Sequence, residues 1–324
     1  MESSCNLNIT EAVQILQMGI SIPSFVLGLL GNVAVLAIFC CGRGGGPWSY
    51  MMVYITNMAL ADCTVLFFLP FKMYSYRNSW PFSAHFCVLL VYVYYVNMYV
   101  SIFTATAISV VRYVGIKYPF RAKQVLSPRK ALVVCVLIWV VTCSIGAGFY
   151  KVDAPPEANG TRFMCFQKVR SKPLPLSFIL VLELLGYFLP LATMTFCSAH
   201  IIRVLSRPTG RNGAGGSDGG GRDGGSSAEK AQCVRIIAAN LAVFVVCFTP
   251  FHLGFLLKHA VETHRPGDCG LLEGVHGFTH VAFSLASANC CLDAFTYYFA
   301  TRDSWRRVST CCRPVGGSSA SAII

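Results

Sequence analysis

Seven long apolar stretches, each nearly free of charge, alternate along this chain with short polar or basic links. The central one, CVLLVYVYYVNMYVSIFTATAISVVRYVGIKYP, starts at Cys87 and ends at Pro119, and Arg112 is its only charge before Lys117. That is enough residues to cross a bilayer as a helix with a turn or two to spare. An arginine at the end of such a run sits at a membrane face and snorkels into water. The other runs cover about residues 13–41, 48–76, 128–150, 174–205, 229–259 and 271–300. Unbroken runs of this kind predict helices, not the alternating strands of a barrel. The link GRGGGP is so short that the first two spans must be antiparallel neighbours, and Pro250 is expected to kink the sixth.

The expected fold is an all-α membrane protein, a seven-transmembrane helix bundle over residues 13–300 behind a 1–12 tail. In 301–324, TRDSWRRVSTCCRP sets basic residues around Trp305 and suits a short amphipathic helix on the membrane surface. The link RPTGRNGAGGSDGGGRDGGSS has no apolar surface to bury and is expected to lack fixed structure. The start, MESSCNLNITEA, has neither a basic n-region nor a small-residue cleavage site, so the first span is expected to act as its own anchor.

Composition agrees with the pattern. Residues are 55% hydrophobic and 12% charged, about half the charge of a soluble domain. A net charge of +12 would suggest nucleic acid in a soluble protein. Here most of the 26 Lys and Arg residues fall on the loops and ends of one side. Basic loops stay in the cytoplasm, so the N-terminus is expected outside and nucleic acid is not an expected partner. Most of the 16 cysteines lie within apolar spans, where a thiol behaves as a small hydrophobe. Cys5, Cys87, Cys165 and Cys269 fall on the outer, oxidising side. Asn8 and Asn159 begin glycosylation acceptors on that same side.

Polar residues inside the spans are the candidates for function. Asp62, Asn97, Ser101, Asn289 and Asp293 form a mid-membrane set. Carboxylates there are costly and face the bundle, although hydrogen bonding between helices is the plainer role. Lys72, Tyr95, Tyr99, Glu183, Phe248, His252 and His280 lie towards the outer half. An aromatic cavity with one buried cation suits an amphiphile with an anionic head. Two plainer readings stand beside it: core packing for the aromatic residues, and Glu183 as the partner of Lys72.

In order along the chain, Asn32, the Ala59 to Asp62 pattern, Arg112-Tyr113, Trp139, Pro190, Phe244 with Pro250, and Asp293 with Tyr297 mark the spans. This ordered set resembles the rhodopsin-like G-protein-coupled receptors over residues 13–312. The segments IPSFVLGLLGN, LPFKM, FMCF and ANCCLDAFTYYF are most similar to the branch that senses lysophosphatidylinositol and kynurenate-type acids.

The resemblance implies a plasma-membrane receptor, not an enzyme, that binds an anionic lysophospholipid-like ligand and activates a heterotrimeric G protein through movement of the sixth span. A small aromatic carboxylic acid is the alternative ligand, and a receptor that binds without signalling the alternative role. The resemblance further implies a Cys87–Cys165 disulfide, a sodium site at Asp62, Asn97 and Ser101, and G-protein coupling through Arg112, Tyr113 and Tyr297. Arrestin is a further expected partner. Cys5 and Cys269 form a second candidate bridge that sequence leaves open. Cys311 and Cys312 beside basic residues read as palmitoylation sites.

A transporter would show inverted repeats and interrupted helices at matching places in two halves, and the sequence has neither. An intramembrane enzyme would need a metal-type or nucleophilic arrangement that His252 and His280 alone do not make. The chain departs from the family pattern at Val111, where most relatives carry an acid before the arginine, and at Lys230, where an acid is usual near the inner end of the sixth span. It departs from the branch it most resembles at Val91, where that branch has a glutamate in early span three.

Overall fold

A backbone in hydrocarbon must pair its polar groups within its own segment, and a helix does so. The structure, a computed structural model, describes residues 5, 7, 9–41, 49–153, 165–166, 175–206 and 223–300, and every element among them is helical. The first three spans are α1 (Glu11–Cys41), α2 (Tyr50–Ser75) and α3 (Ala84–Lys117). A short α4 (Pro119–Val125) follows, and α5 (Pro128–Asp153) is the fourth span. The fifth combines α6 (Leu176–Glu183), a π-helical turn over Leu184–Phe188 and α7 (Leu189–Leu205). Then come α8 (Asp223–His264), α9 (Cys269–Ser287) and α10 (Asn289–Ala300).

Six of the spans are long and apolar enough to cross a membrane. The seventh is α9 continued by α10, where the sequence predicts one helix. It breaks at Ala288, whose N–H bonds back to Ser284 and Leu285. Two further differences concern ends. Residues 119–125, expected as loop, form α4, because Pro119 at the first turn has no N–H to leave unpaired. Helix α8 begins at Asp223, inside the glycine-rich link, since lengthening an existing helix needs no new nucleus. Residues 207–222 of that link and the 301–324 segment, with Cys311 and Cys312, lie outside the described residues, as do Asn8 and Asn159.

The π-helical turn has a local cause. Pro190 offers no N–H to the preceding turn and its ring crowds the carbonyl there, so the chain widens. Widening brings Gly186 onto Tyr99 of α3, where an added Cβ would come within 2.8 Å of the ring.

Apolar side chains cover the outside: Leu30, Phe67, Val136, Leu185 and Val246 are all more than half exposed. Water would not tolerate a belt that size; lipid does. Helix α3 runs through the middle and packs on α2, α5 and α7 while touching α8 and α9. Its Met98, Ile102, Ala105 and Ile108 share one core with Phe244, Phe248 and Phe251 of α8. Both disulfides, Cys87–Cys165 and Cys5–Cys269, lie at the end where α3 and α9 begin. Helix α4 marks the opposite, basic end.

Helices α1 and α10 meet through small residues. A Cβ on Gly31 would stand 2.8 Å from that of Ala294, whereas one on Gly19 would meet nothing within 4 Å. Beside this contact, Asn32 Nδ2 donates to the carbonyls of Cys290 at 2.9 Å and Gly28 at 3.0 Å. Gly31→Leu should therefore destabilise the detergent-solubilised protein by about 1–3 kcal/mol, while Gly19→Leu leaves its thermal midpoint unchanged. Equal midpoints for the two variants would count against this packing.

Candidate functional site

Near the disulfide end, Lys72 of α2 is 1% exposed. Its Nζ donates to Ser287 Oγ at 2.9 Å and sits 4.3 Å from the Tyr94 ring centre and 4.2 Å from that of Phe283. Phe166 adds a third face at 5.8 Å. Phe166 has φ 70°, uncommon for a bulky residue, and is held there beside the bridged Cys165. Among the described residues no carboxylate is in ion-pair range of Lys72. Ring faces attract a cation but do not neutralise it, so this charge is open to an anion.

Glu183 is not the partner of Lys72. It is buried against α8, with His252 Nδ1 3.1 Å from both carboxylate oxygens. The reason is the π-helical turn, which swings Tyr187 inward to stack on the His252 ring at 4.3 Å. The Tyr187 hydroxyl then bonds Thr249 at 2.7 Å. These contacts fix the imidazole so that Nδ1 faces Glu183, and the pair satisfies itself. Among the described residues, His252 Nε2 and the Tyr99 hydroxyl remain buried with no hydrogen-bond partner.

The two polar spots are joined by rings. Phe283, which covers Lys72, lies 5.5 Å from Phe251 and 5.2 Å from Tyr95. Phe251 lies 5.4 Å from His252, and Tyr187 stacks on Phe244 at 6.1 Å. Phe248 packs edge-on to Phe244 at 5.2 Å. Six of the seven expected residues, Lys72, Tyr95, Tyr99, Glu183, Phe248 and His252, thus fall along one track. His280 stands beside it, 4.5 Å from His276, whose Nδ1 is 3.3 Å from Lys258. Phe251, Phe283, Tyr94, Ser287 and Tyr187 were not expected. Only Tyr187 had a signal, the proline three residues on.

Below the track the polar set converges. Asp62 is fully buried, and among the described residues neither of its oxygens has a hydrogen-bond partner. Asn97 Oδ1 and Ser101 Oγ, one turn apart on α3, are also orphaned. Asn289 Nδ2 donates to Asp293 at 3.3 Å, and Asp293 is close enough to act electrostatically on Asp62. Buried oxygens without donors are the chemistry a hard monovalent cation takes, so the residues fit the sodium ion that the resemblance implies.

At the basic end, Arg112 is half-buried, and no described carboxylate pairs with it. Val111 before it is buried. The Tyr113 hydroxyl accepts from Lys117 at 2.7 Å, and its ring stands edge-on to His200 at 5.1 Å. Trp139 ties α5 to α2 by donating to Asn57 at 2.9 Å. The side chain of Tyr297 lies outside the described residues.

Comparison with known proteins bears on this arrangement. A family model described as "7 transmembrane receptor (rhodopsin family)" matches residues 31–297. The chain is 35% identical to G-protein coupled receptor 35 of Homo sapiens, over 86% of this chain and 81% of that protein. It is 32% identical to G-protein coupled receptor 55 of Mus musculus, over 93% of this chain and 90% of that one. To Lysophosphatidic acid receptor 6 of Mus musculus it is 29% identical, over 86% and 78%. The chain belongs to the rhodopsin family of seven-transmembrane receptors, and is a receptor and not an enzyme.

Proposed function

We propose that this receptor binds an anionic, lysophospholipid-like ligand at Lys72 and passes the signal to a heterotrimeric G protein. One observation carries the reading: a buried lysine caged by aromatic faces with no described carboxylate to neutralise it. The name of a relative, Lysophosphatidic acid receptor 6, points to the same ligand chemistry. A small aromatic carboxylic acid is the second reading. It is favoured by the orphaned Tyr99 hydroxyl and His252 Nε2 within the ring track, which a compact polar ligand would reach.

The disulfide end faces outside in this reading. A ligand head at Lys72 displaces Phe283 or Phe166, and the ring contacts carry the change to Phe251 and His252 of α8. Pro250 removes one backbone hydrogen bond at that level, so α8 bends there. Its far end swings from α3 and opens a crevice for a G-protein helix, with Arg112, Tyr113 and Tyr297 at its floor. Arrestin is a competitor for the same crevice. A sodium ion bound at Asp62, Asn97 and Ser101 would neutralise the buried carboxylate and favour the closed packing.

The reading is tested by G-protein activation in cells exposed in turn to lysophospholipids and small aromatic acids. Lys72→Ala should reach the surface and lose potency by roughly a hundredfold, the cost of a few kcal/mol for a lost buried charge contact. A normal response from that variant would overturn the ligand assignment.

Asp62→Asn removes the anionic ligand of the polar set. Agonist affinity of the parent should change when sodium chloride replaces choline chloride, and affinity of the variant should not. Retained sodium sensitivity would exclude Asp62 from the site.

Arg112 has no acid before it, and a partly exposed pair is worth up to about 1 kcal/mol. Val111→Asp restores the family's residue and should lower ligand-free nucleotide exchange several-fold. The comparison needs membranes matched for receptor number, and equal basal rates would refute the idea.

A further inference from the structure

At the basic end, α2, α3, α5 and the link after α4 enclose a groove of about 640 Å³. Its floor is Ala107, Val110 and Val111 of α3, and Tyr54 and Val134 are its walls. The rim residues Val125, Leu137 and Val141 are about half exposed, so the groove opens sideways, to where lipid lies. Thr106 bonds its hydroxyl back to Ile102 at 2.8 Å, which leaves the depth apolar. At the mouth stand Ser127 and Lys130.

Two facts select an occupant. The first is charge. Lys117, Arg121, Lys123, Arg129 and Lys130 crowd this end, while the chain has no Asp or Glu between Asp62 and Asp153. Among the described residues none of these five pairs with a carboxylate. No described carboxylate supplies their counter-charge, and the phosphate layer of the adjacent leaflet is a source at that depth. The second is length. From Lys130 to Val141 the groove follows α5 for about 16 Å, roughly half a hydrocarbon core of about 30 Å. That is the depth of one leaflet.

We propose that the groove seats one acyl chain of an anionic phospholipid from the leaflet at the basic end, its phosphate held by Lys130 and the Ser127 hydroxyl. Ser127 Oγ accepts from the Lys130 backbone N–H at 3.3 Å, which leaves the hydroxyl proton to donate. The chain packs on Val111, one residue from Arg112, so occupancy bears on the inner end of α3. The site lies at the far end of the bundle from Lys72 and does not depend on which ligand binds there.

The test is photolabelling of the full-length receptor in nanodiscs, using phosphatidylserine and phosphatidylcholine that carry the same diazirine tail. Peptides of α3 and α5 that line the groove should take about fivefold more of the anionic lipid, the effect expected of one lysine near a charged surface. Lys130→Gln should bring the two lipids level. Ala107→Phe should fill the groove and abolish labelling of these peptides while the outer face of α1 stays labelled. Leu137→Trp, at the exposed rim, tests the same filling without touching the core. Equal labelling by both lipids in the parent would show bulk lipid only and overturn the proposal. So would an anionic preference that survives Lys130→Gln, or groove labelling that survives Leu137→Trp.

Discussion

Hydrocarbon offers no hydrogen bonds, and that shortage is what the structure is built around. Helices answer it for the backbone. Side chains have to be answered one at a time, and most are: Asn32 bonds to Cys290 and Gly28, Trp139 to Asn57, Tyr187 to Thr249, His252 to Glu183. Against that background the unanswered groups stand out. Among the described residues, Lys72 has ring faces and one hydroxyl for its charge, Asp62 has no hydrogen-bond donor, and Tyr99 and His252 each keep an orphaned atom. An orphan in water is unremarkable, but in a bilayer it is costly, which makes these groups the candidates for binding something from outside.

The sequence makes the spans legible because membrane length sets them, and the structure keeps each within a few residues. It does less well where a proline or a break acts locally. The apolar run 174–205 gives no hint of a wide turn until Pro190 is read as a missing donor three residues after Tyr187. That turn decides the site, since it aims Tyr187 at His252 and thereby commits Glu183. Pairing Lys72 with Glu183 was sensible from opposite charges in one half of the bundle. It failed because partner choice in a bundle depends on helix rotation, which charge alone does not report. Phe283 and Ser287 were invisible for a similar reason: nothing in a run such as FTHVAFSLAS says which turn faces a lysine on another helix.

The ring track gives the bundle a mechanical route. Aromatic side chains have few rotamers and large contact areas, so a ring displaced at Phe283 cannot be absorbed by its neighbours without movement. Phe251 and His252 are adjacent on α8 and directly follow Pro250, where the helix is weakest. In the proposed mechanism, a push delivered at that point bends the helix instead of sliding it. Tyr187 on the other side stacks on both His252 and Phe244, which ties the fifth span to α8 at that level.

The basic end follows a different logic. In the family pattern an acid beside the arginine of α3 supplies an internal counter-charge, and here that position is Val111, turned into an apolar groove. Arg112 keeps its charge in a half-buried place with no described carboxylate to meet it. Removing an internal partner does not remove the need for one. It transfers the need to whatever anion the surroundings supply, whether lipid phosphate or a docking partner's carboxyl terminus. On the proposed lipid site, the resting packing depends on the composition of the membrane, as one held by an internal ion pair does not. In that site, the exchange of acid for valine couples the inner end of α3 to the bilayer, and the acid-free stretch between Asp62 and Asp153 leaves α3, α4 and α5 without a counter-charge nearby in sequence.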